Sequence, residues 1–299
     1  MKTYGKIILM GEHSVVYGHK AIALPFKETF VEVKIEEHPF FALESSLYVG
    51  PLSEVKEELM GLRLLIEKLV AALALKPVLI YIDSSLPTSS GLGSSAATAS
   101  AIVKGLYAYA GKPLKQEDLF EYVQFSEGII HGVSSGIDTL ITTTSNAYIY
   151  ARDGEKTMLN IHIDAYLVVG LSGEKGQTSK AVNMVKHHVV NLDGRQEIEI
   201  LGNVTTTFYQ ALQKRDLIGM ANQMNIAGHA LKRLGLETKK LSMMRSHAMD
   251  LGALASKLTG AGLGGCVLAL TDSLKTARTI QKQWMSDGEN AWVMSLLEV

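Results

Sequence analysis

Lys6, at the head of an apolar run, Glu12 and His13 after Gly11, Glu127 near a helix end and Asp138 just past Gly136 are residues of this 299-residue sequence whose types can move protons and hold phosphate. Glu127 and Asp138 flank the Gly136 turn. Two carboxylates so placed could supply a metal ligand and a base, which phosphoryl transfer needs together. Ordinary surface acids are the alternative. Lys6 heads an apolar run, where a lysine is usually solvated. Glu12 and His13 follow Gly11, where a surface loop is the plain expectation.

Three glycine motifs accompany them. GLGSSA at 91–96 follows an apolar run and opens a helix-forming stretch. Glycines let the backbone approach a ligand, and the first helical turn presents unpaired N–H groups at the positive end of the dipole. Ser94 and Ser95 could cap that helix or reach a phosphate-bound metal, so an anion cradle and a serine-capped helix both fit. A dinucleotide fold lacks support, because no strand ending in an acid follows about twenty residues later. GAGLGG at 260–265 has the reverse context, a helical stretch before it and the strand CVLALT after it. It is either a tight turn or a close approach to a ligand. GVSSG at 132–136 matches the nucleophile elbow, which needs a strand before it and a helix after it. Here a helix precedes, and the β-branched run Ile141–Thr144 follows. Ser134 is therefore a poor hydrolase nucleophile. No Walker A run, kinase HRD…DFG pair or HExxH motif occurs.

Other reactive residues read plainly. His187 and His188 are expected on a helix surface, since no cysteine or acid completes a metal spacing. Met220, Met224, Met243 and Met244 are expected to fill core and cleft. Cys266 reads as a buried structural thiol.

The elements that must carry these residues follow from pattern. Lys6–Met10 is a strand, and in residues 30–37 Val31, Val33 and Ile35 alternate with Glu32, Lys34 and Glu36, a half-buried strand. Residues 62–75 form a helix stopped by Lys76-Pro77, and 78–83 a buried strand. Helices over 96–110 and 116–130 come next, then a hairpin turning at Asp153-Gly154. A strand at 165–171, three or four helices, the glycine loop and a strand–helix–strand tail complete the chain. The texture changes near residue 165. Hence the expected domains are 1–165 and 166–299, as the length allows. With 29 basic and 30 acidic residues the chain has no field for nucleic acid. Glu67, Lys68, Lys76 and Pro77 break the greasiest stretch, against a membrane span. One cysteine and a start without a signal-like segment fit a cytoplasmic protein.

GKIILMGEHSVVYGHKAIALP, LPTSSGLGSSAA, EGIIHGVSSGID and KLTGAGLGGC occur in an order and at spacings that resemble the galacto-, homoserine, mevalonate and phosphomevalonate (GHMP) kinase family. The first and last stretches are most similar to its mevalonate-phosphorylating members. The resemblance implies an α+β, two-domain fold with the active site in a cleft. The N-terminal, ATP-binding domain would be like domain 2 of ribosomal protein S5, and the C-terminal one ferredoxin-like. It implies that Pro87, Ser89, Ser90, Gly91, Leu92, Gly93, Ser94, Ser95 and Ala96 wrap the ATP phosphates, and that Ser95 and Glu127 ligate Mg²⁺. Asp138 would take the proton from the C5 hydroxyl of mevalonate, with Lys6 beside it favouring the developing alkoxide. Glu12, His13, Thr178 and the loop residues Gly260, Ala261 and Gly262 would line the acceptor side. Mevalonate and ATP are thus the expected small-molecule partners, with isoprenoid synthesis as the setting and a homodimer as a candidate assembly. Three departures from the family pattern, Ser89-Ser90, Ser134 and Thr142–Ser145, touch no charged group and bear on the fit of the acceptor.

Overall fold

A computed structural model describes residues 1–131, 136–151, 154, 156–297 and 299. The elbow-like turn with Ser134, and Asp153 of the hairpin turn, lie outside the described residues. The chain forms two compact units, each assembled from separated stretches. The first comprises Met1–Lys6, Thr29–Thr88 and Gly93–Ser145, the second Ile7–Glu28, Ser89–Leu92 and Asn146–Val299.

Strands β1 (Lys2–Met10) and β2 (Lys20–Glu37) each contribute to both units. The alternation in β2 works as the sequence suggests, with Val31 and Val33 buried and Lys34 and Glu36 exposed. In the first unit, β3 (Ala42–Glu44) pairs antiparallel with β4 (Val49–Pro51), and helix α1 (Met60–Leu73) leads to β5 (Val78–Ser84). Residues 31–37 of β2 run antiparallel to β5, aligning Val33 with Ile82 and Ile35 with Ile80, while β3 lies parallel to β5. β5 is half-buried rather than buried throughout, for Tyr81 and Asp83 face solvent. Leu62, Leu65, Ile66, Leu69 and Leu73 make the buried stripe of α1 at helical spacing. Helix α2 (Ser94–Tyr109) buries mostly small residues, among them Ala96, Ala97, Ala99 and Ala101. Helix α3 (Gln116–His131) and the short α4 (Ile137–Thr144) complete the unit. The run Ile141–Thr144 is therefore helical, against its β-branched reading. Hydroxyls of Thr142, Thr143 and Thr144 donate to the carbonyls of Asp138, Thr139 and Leu140 at 2.8, 2.7 and 2.7 Å, and the run closes the helix with its own side chains. The elbow reading still fails, because helix α3 precedes it.

In the second unit, β6 (Ala147–Ala151) pairs antiparallel with residues 20–23 of β2 and with β7 (Lys156–Leu159), the expected hairpin. Then come β8 (Tyr166–Leu171), helices α5 (Thr178–His188), α6 (Leu192–Gln213), α7 (Leu217–Arg233) and α8 (Lys239–Asp250), strands β9 (Ala255–Thr259) and β10 (Cys266–Thr271), helix α9 (Leu274–Ser286) and strand β11 (Asn290–Ser295). The order β11-β8-β10-β9, antiparallel throughout, is the ferredoxin-like arrangement. Strand β9 corrects the expected helix before the 260–265 loop. All five of its residues are buried although β9 is the edge strand of the sheet, which its mixed composition did not reveal. Met220, Met224 and Met244 fill the core as expected, whereas Met243 is exposed. No helix among the described residues is long and apolar enough to cross a membrane.

Trp284 of α9 is fully buried, and its indole N–H donates to the Met244 carbonyl at 3.1 Å. Trp284→Ala should cost about 3–5 kcal/mol of stability, measured by urea denaturation followed by circular dichroism. A loss near zero would contradict this packing.

Candidate active site

In the first unit the structure joins three of the residues singled out in the sequence. Lys6 lies within β1 and is 3% exposed, far from the solvated strand-end lysine expected from its position alone. Its Nζ stands 3.1 Å from Oδ1 of Asp138, whose side chain keeps 29% of its surface open. Asp138 is the second residue of α4, which starts after Gly136 in a left-handed conformation. Gly93 closes the group from the other side. Its φ is +76°, and a methyl group there would sit 2.9 Å from Lys6 Cγ and 3.7 Å from Asp138 Oδ2. Only glycine fits both that backbone and that gap. A buried ammonium, a partly open carboxylate and a glycine loop thus share one place. The carboxylate can accept a proton, and the ammonium can stabilise negative charge developing beside it.

Gly93 is also the residue before α2, and no side chain caps that helix. The serine-capped alternative is therefore not what forms. Ser94 and Ser95 are helical residues of the first turn, partly buried, and Ala96 is buried behind them. Among the described residues no side chain caps the first-turn N–H groups, which suits an anion. Ser95 Oγ is shielded from solvent without a hydrogen-bond partner. Glu127, in α3, is 3% exposed and so is not the surface acid of the plain reading. Among the described residues no cluster of three His, Cys, Asp or Glu side chains could hold a metal by itself. One hydroxyl and one carboxylate fit a hard cation that takes its other ligands from phosphate and water.

The second unit gathers a different set. The loop after β1 buries both Glu12 and His13, where a surface loop was the plain expectation. Glu12 forms an ion pair with Lys257 of β9, and neither side chain is exposed. His13 Nε2–H donates to the Ala261 carbonyl at 2.8 Å, which leaves Nδ1 as an acceptor in the neutral ring. Thr259 Oγ1 donates to the Ile8 carbonyl at 2.8 Å, fastening β9 to β1 beside these contacts. Lys257 was missed in the sequence. The only signal was its place two residues before Thr259-Gly260, at the entry to the glycine loop.

The 260–265 loop is both a tight turn and a close approach, though to backbone. Gly264 has φ +116°, and a methyl group there would lie 2.8 Å from the carbonyl oxygens of Glu174 and Lys175. The same segments meet the loop at 89–92. Gly176 N–H donates to the Ser89 carbonyl at 3.0 Å, and the Cys266 thiol donates to the Ser90 carbonyl at 3.4 Å. Ser90 Oγ accepts from Leu92 N–H at 3.3 Å, and Gly91 abuts Gly260. Cys266 is buried, as expected of a structural thiol. Pro87 is half-buried after β5; Thr178 opens α5 and is exposed, as are His187 and His188 at its end.

Burial pushes the His13 imidazole below its ordinary value of 6.5, and its bond to Ala261 only partly opposes this. As the pH falls, the unfolded chain binds the proton first. The stability held by neutral His13 is complete above about 6.5 and declines as the pH drops through that value toward the folded one. Urea denaturation at pH 7.5 and 5.5 should show wild type losing more stability than His13→Asn; equal losses would contradict a buried neutral ring.

Family models match the chain twice. The GHMP kinases N terminal domain covers residues 59–146, and the GHMP kinases C terminal domain covers residues 208–290. A mevalonate kinase of Pyrococcus abyssi is 31% identical over 290 residues, spanning 89% of this chain and 86% of the relative. The crystal structure of mevalonate kinase from methicillin-resistant Staphylococcus aureus is 30% identical, covers 99% of this chain and 98% of that one, and superposes with a TM-score of 0.76. Streptococcus pneumoniae phosphomevalonate kinase, solved with phosphomevalonate and AMPPNP, reaches a TM-score of 0.83 at 18% identity, with 99% of each chain covered. That last likeness is one of fold alone. The motif order, the α+β fold and these matches agree: the chain is a kinase and belongs to the GHMP kinase family.

Proposed function

We propose that this kinase transfers the γ-phosphoryl group of ATP to the C5 hydroxyl of (R)-mevalonate, giving 5-phosphomevalonate and ADP in cytoplasmic isoprenoid synthesis. The Lys6–Asp138 pair beside Gly93 carries this reading, in a chain whose 31% identical relative is a mevalonate kinase. Fold likeness does not choose the acceptor, since a phosphomevalonate kinase superposes as well as mevalonate kinases do. Sequence identity favours mevalonate.

Phosphoryl transfer asks for position and charge neutralisation more than covalent chemistry. Asp138 accepts the C5 hydroxyl proton, the oxygen attacks the γ-phosphorus, and the bond to the ADP oxygen breaks. Lys6, held 3.1 Å from Asp138, stabilises the developing alkoxide. The loop Pro87, Ser89–Leu92 and the first turn Gly93–Ala96 hold the phosphates through backbone N–H groups and hydroxyls. A divalent cation accompanies ATP in kinases generally; Mg²⁺ fits Ser95 and Glu127, and it would neutralise phosphate charge there. His13 offers an acceptor nitrogen to the substrate, and Glu12, Thr178 and Gly260–Gly262 shape the acceptor side. Residues 1–165 and 166–299 serve as the two domains, with the family models falling on either side of the division.

A coupled ADP-release assay across mevalonate, phosphomevalonate, galactose and homoserine tests the acceptor. Turnover with mevalonate is expected, and turnover only with another acceptor would overturn the assignment. Asp138→Asn should lower kcat by about 10²–10⁴-fold with little change in the KM for ATP; near-wild-type turnover would remove Asp138 from the chemistry. Glu127→Gln should shift the Mg²⁺ titration to higher concentration, and an unmoved midpoint would exclude Glu127 as a ligand.

A further inference from the structure

We propose that Lys257 is a positioning residue for the acceptor side of the site, acting through Glu12 on His13; this rests on the kinase reading above and adds a residue to it. Lys257 and Glu12 are paired with both side chains fully buried. The ammonium also donates to the Leu258 carbonyl at 2.9 Å, so it is fixed to its own strand as well as to the loop. Two further contacts lie within four residues of it. Thr259 holds Ile8, and the Ala261 carbonyl holds His13. The loop at 12–13 is thus anchored at consecutive residues to one short segment, 257–261.

His13 needs that anchoring. Its φ is +60°, a conformation that non-glycine residues rarely adopt and that persists only where surrounding contacts fix it. The anchor at Glu12 is electrostatic and dry. Removing Lys257 takes the ion-pair ammonium from beside a buried carboxylate, and a carboxylate so weakened in a dry place is drawn toward water or protonation. Movement of Glu12 releases the turn, and His13 then loses both its backbone conformation and its bond to Ala261. Because Glu12 is wholly buried against Lys257, its part in acceptor binding is to hold His13 rather than to touch the acceptor.

A series of single and combined substitutions tests this, using whichever acceptor wild type turns over. Lys257→Met and Glu12→Gln should each raise the acceptor KM by about tenfold or more, with the ATP KM within about twofold. The combined variant Glu12→Gln/Lys257→Gln replaces the ion pair by an uncharged hydrogen-bonded pair, and it should return the acceptor KM to within about threefold of wild type. An unchanged acceptor KM in Lys257→Met, an ATP KM that moves equally, or a combined variant no better than Glu12→Gln would overturn the proposal. Should Lys257→Met not fold, Glu12→Gln against the combined variant carries the same comparison. ¹⁵N NMR of the imidazoles, assigned with His13→Asn, gives a readout independent of turnover. The slowly exchanging Nε2 proton of His13 should be lost in Glu12→Gln and regained in the combined variant; its retention throughout would overturn the proposal even if no tested acceptor is phosphorylated.

Discussion

An ammonium ion leaves water at low cost only where a carboxylate is held beside it, and among the described residues this fold buries two lysines so paired, Lys6 and Lys257. Each obligation fixes a piece of backbone. Asp138 has to sit in the first turn of α4, and Glu12 has to follow β1 through Gly11. Burial pulls the Lys257 ammonium below its ordinary value, and Glu12 opposes that pull. The ion pair thus offsets the cost of a dry environment only in part. Such pairs contribute less to net stability than to fixing which residue faces which.

In the proposed mechanism the rest of the work falls to the backbone. The glycine loop before α2 and the uncapped first turn present N–H groups, which need no side-chain charge to attract phosphate. On the proposed reading, that is how a chain with a formal charge of −1 would bind a highly anionic nucleotide. On that reading positive charge stands where bonds change, and the overall field stays close to neutral. The 260–265 loop shows the same economy. Its glycines let three backbone segments of the second unit lie against one another with no side chain between them.

What the sequence made legible was local. Motif order, the two carboxylates about Gly136, the alternating strand at 30–37 and the small-residue helix after GLGSSA each depend on neighbouring residues. Burial of Lys6, Glu12 and His13 was hidden, because the partners that make it tolerable lie elsewhere in the chain, Lys257 at a separation of 245 residues. Strand β9 was hidden for a related reason. Ala-Ser-Lys-Leu-Thr has no clear period of its own, and pairing with β10 decides its state. The threonines of α4 misled in the opposite sense, since side-chain bonds to carbonyls one turn back settle a helix that propensity disfavours. A single cut at 165 is what the sequence suggests, whereas the segments of the two compact units alternate along the chain, with β1 and β2 each divided between them.

That interleaving is uneven in its chromophores. Both tryptophans of the chain, Trp284 and Trp292, belong to the second unit, one buried in α9 and the other edge-on to Phe26 at 5.7 Å. Intrinsic indole emission therefore reports the ferredoxin-like half, while the half that carries Lys6 and Asp138 is dark at that wavelength. Agreement between emission and far-ultraviolet dichroism during unfolding would mean that the two units melt as one cooperative body. A gap between them would resolve, without any label, which half lets go first.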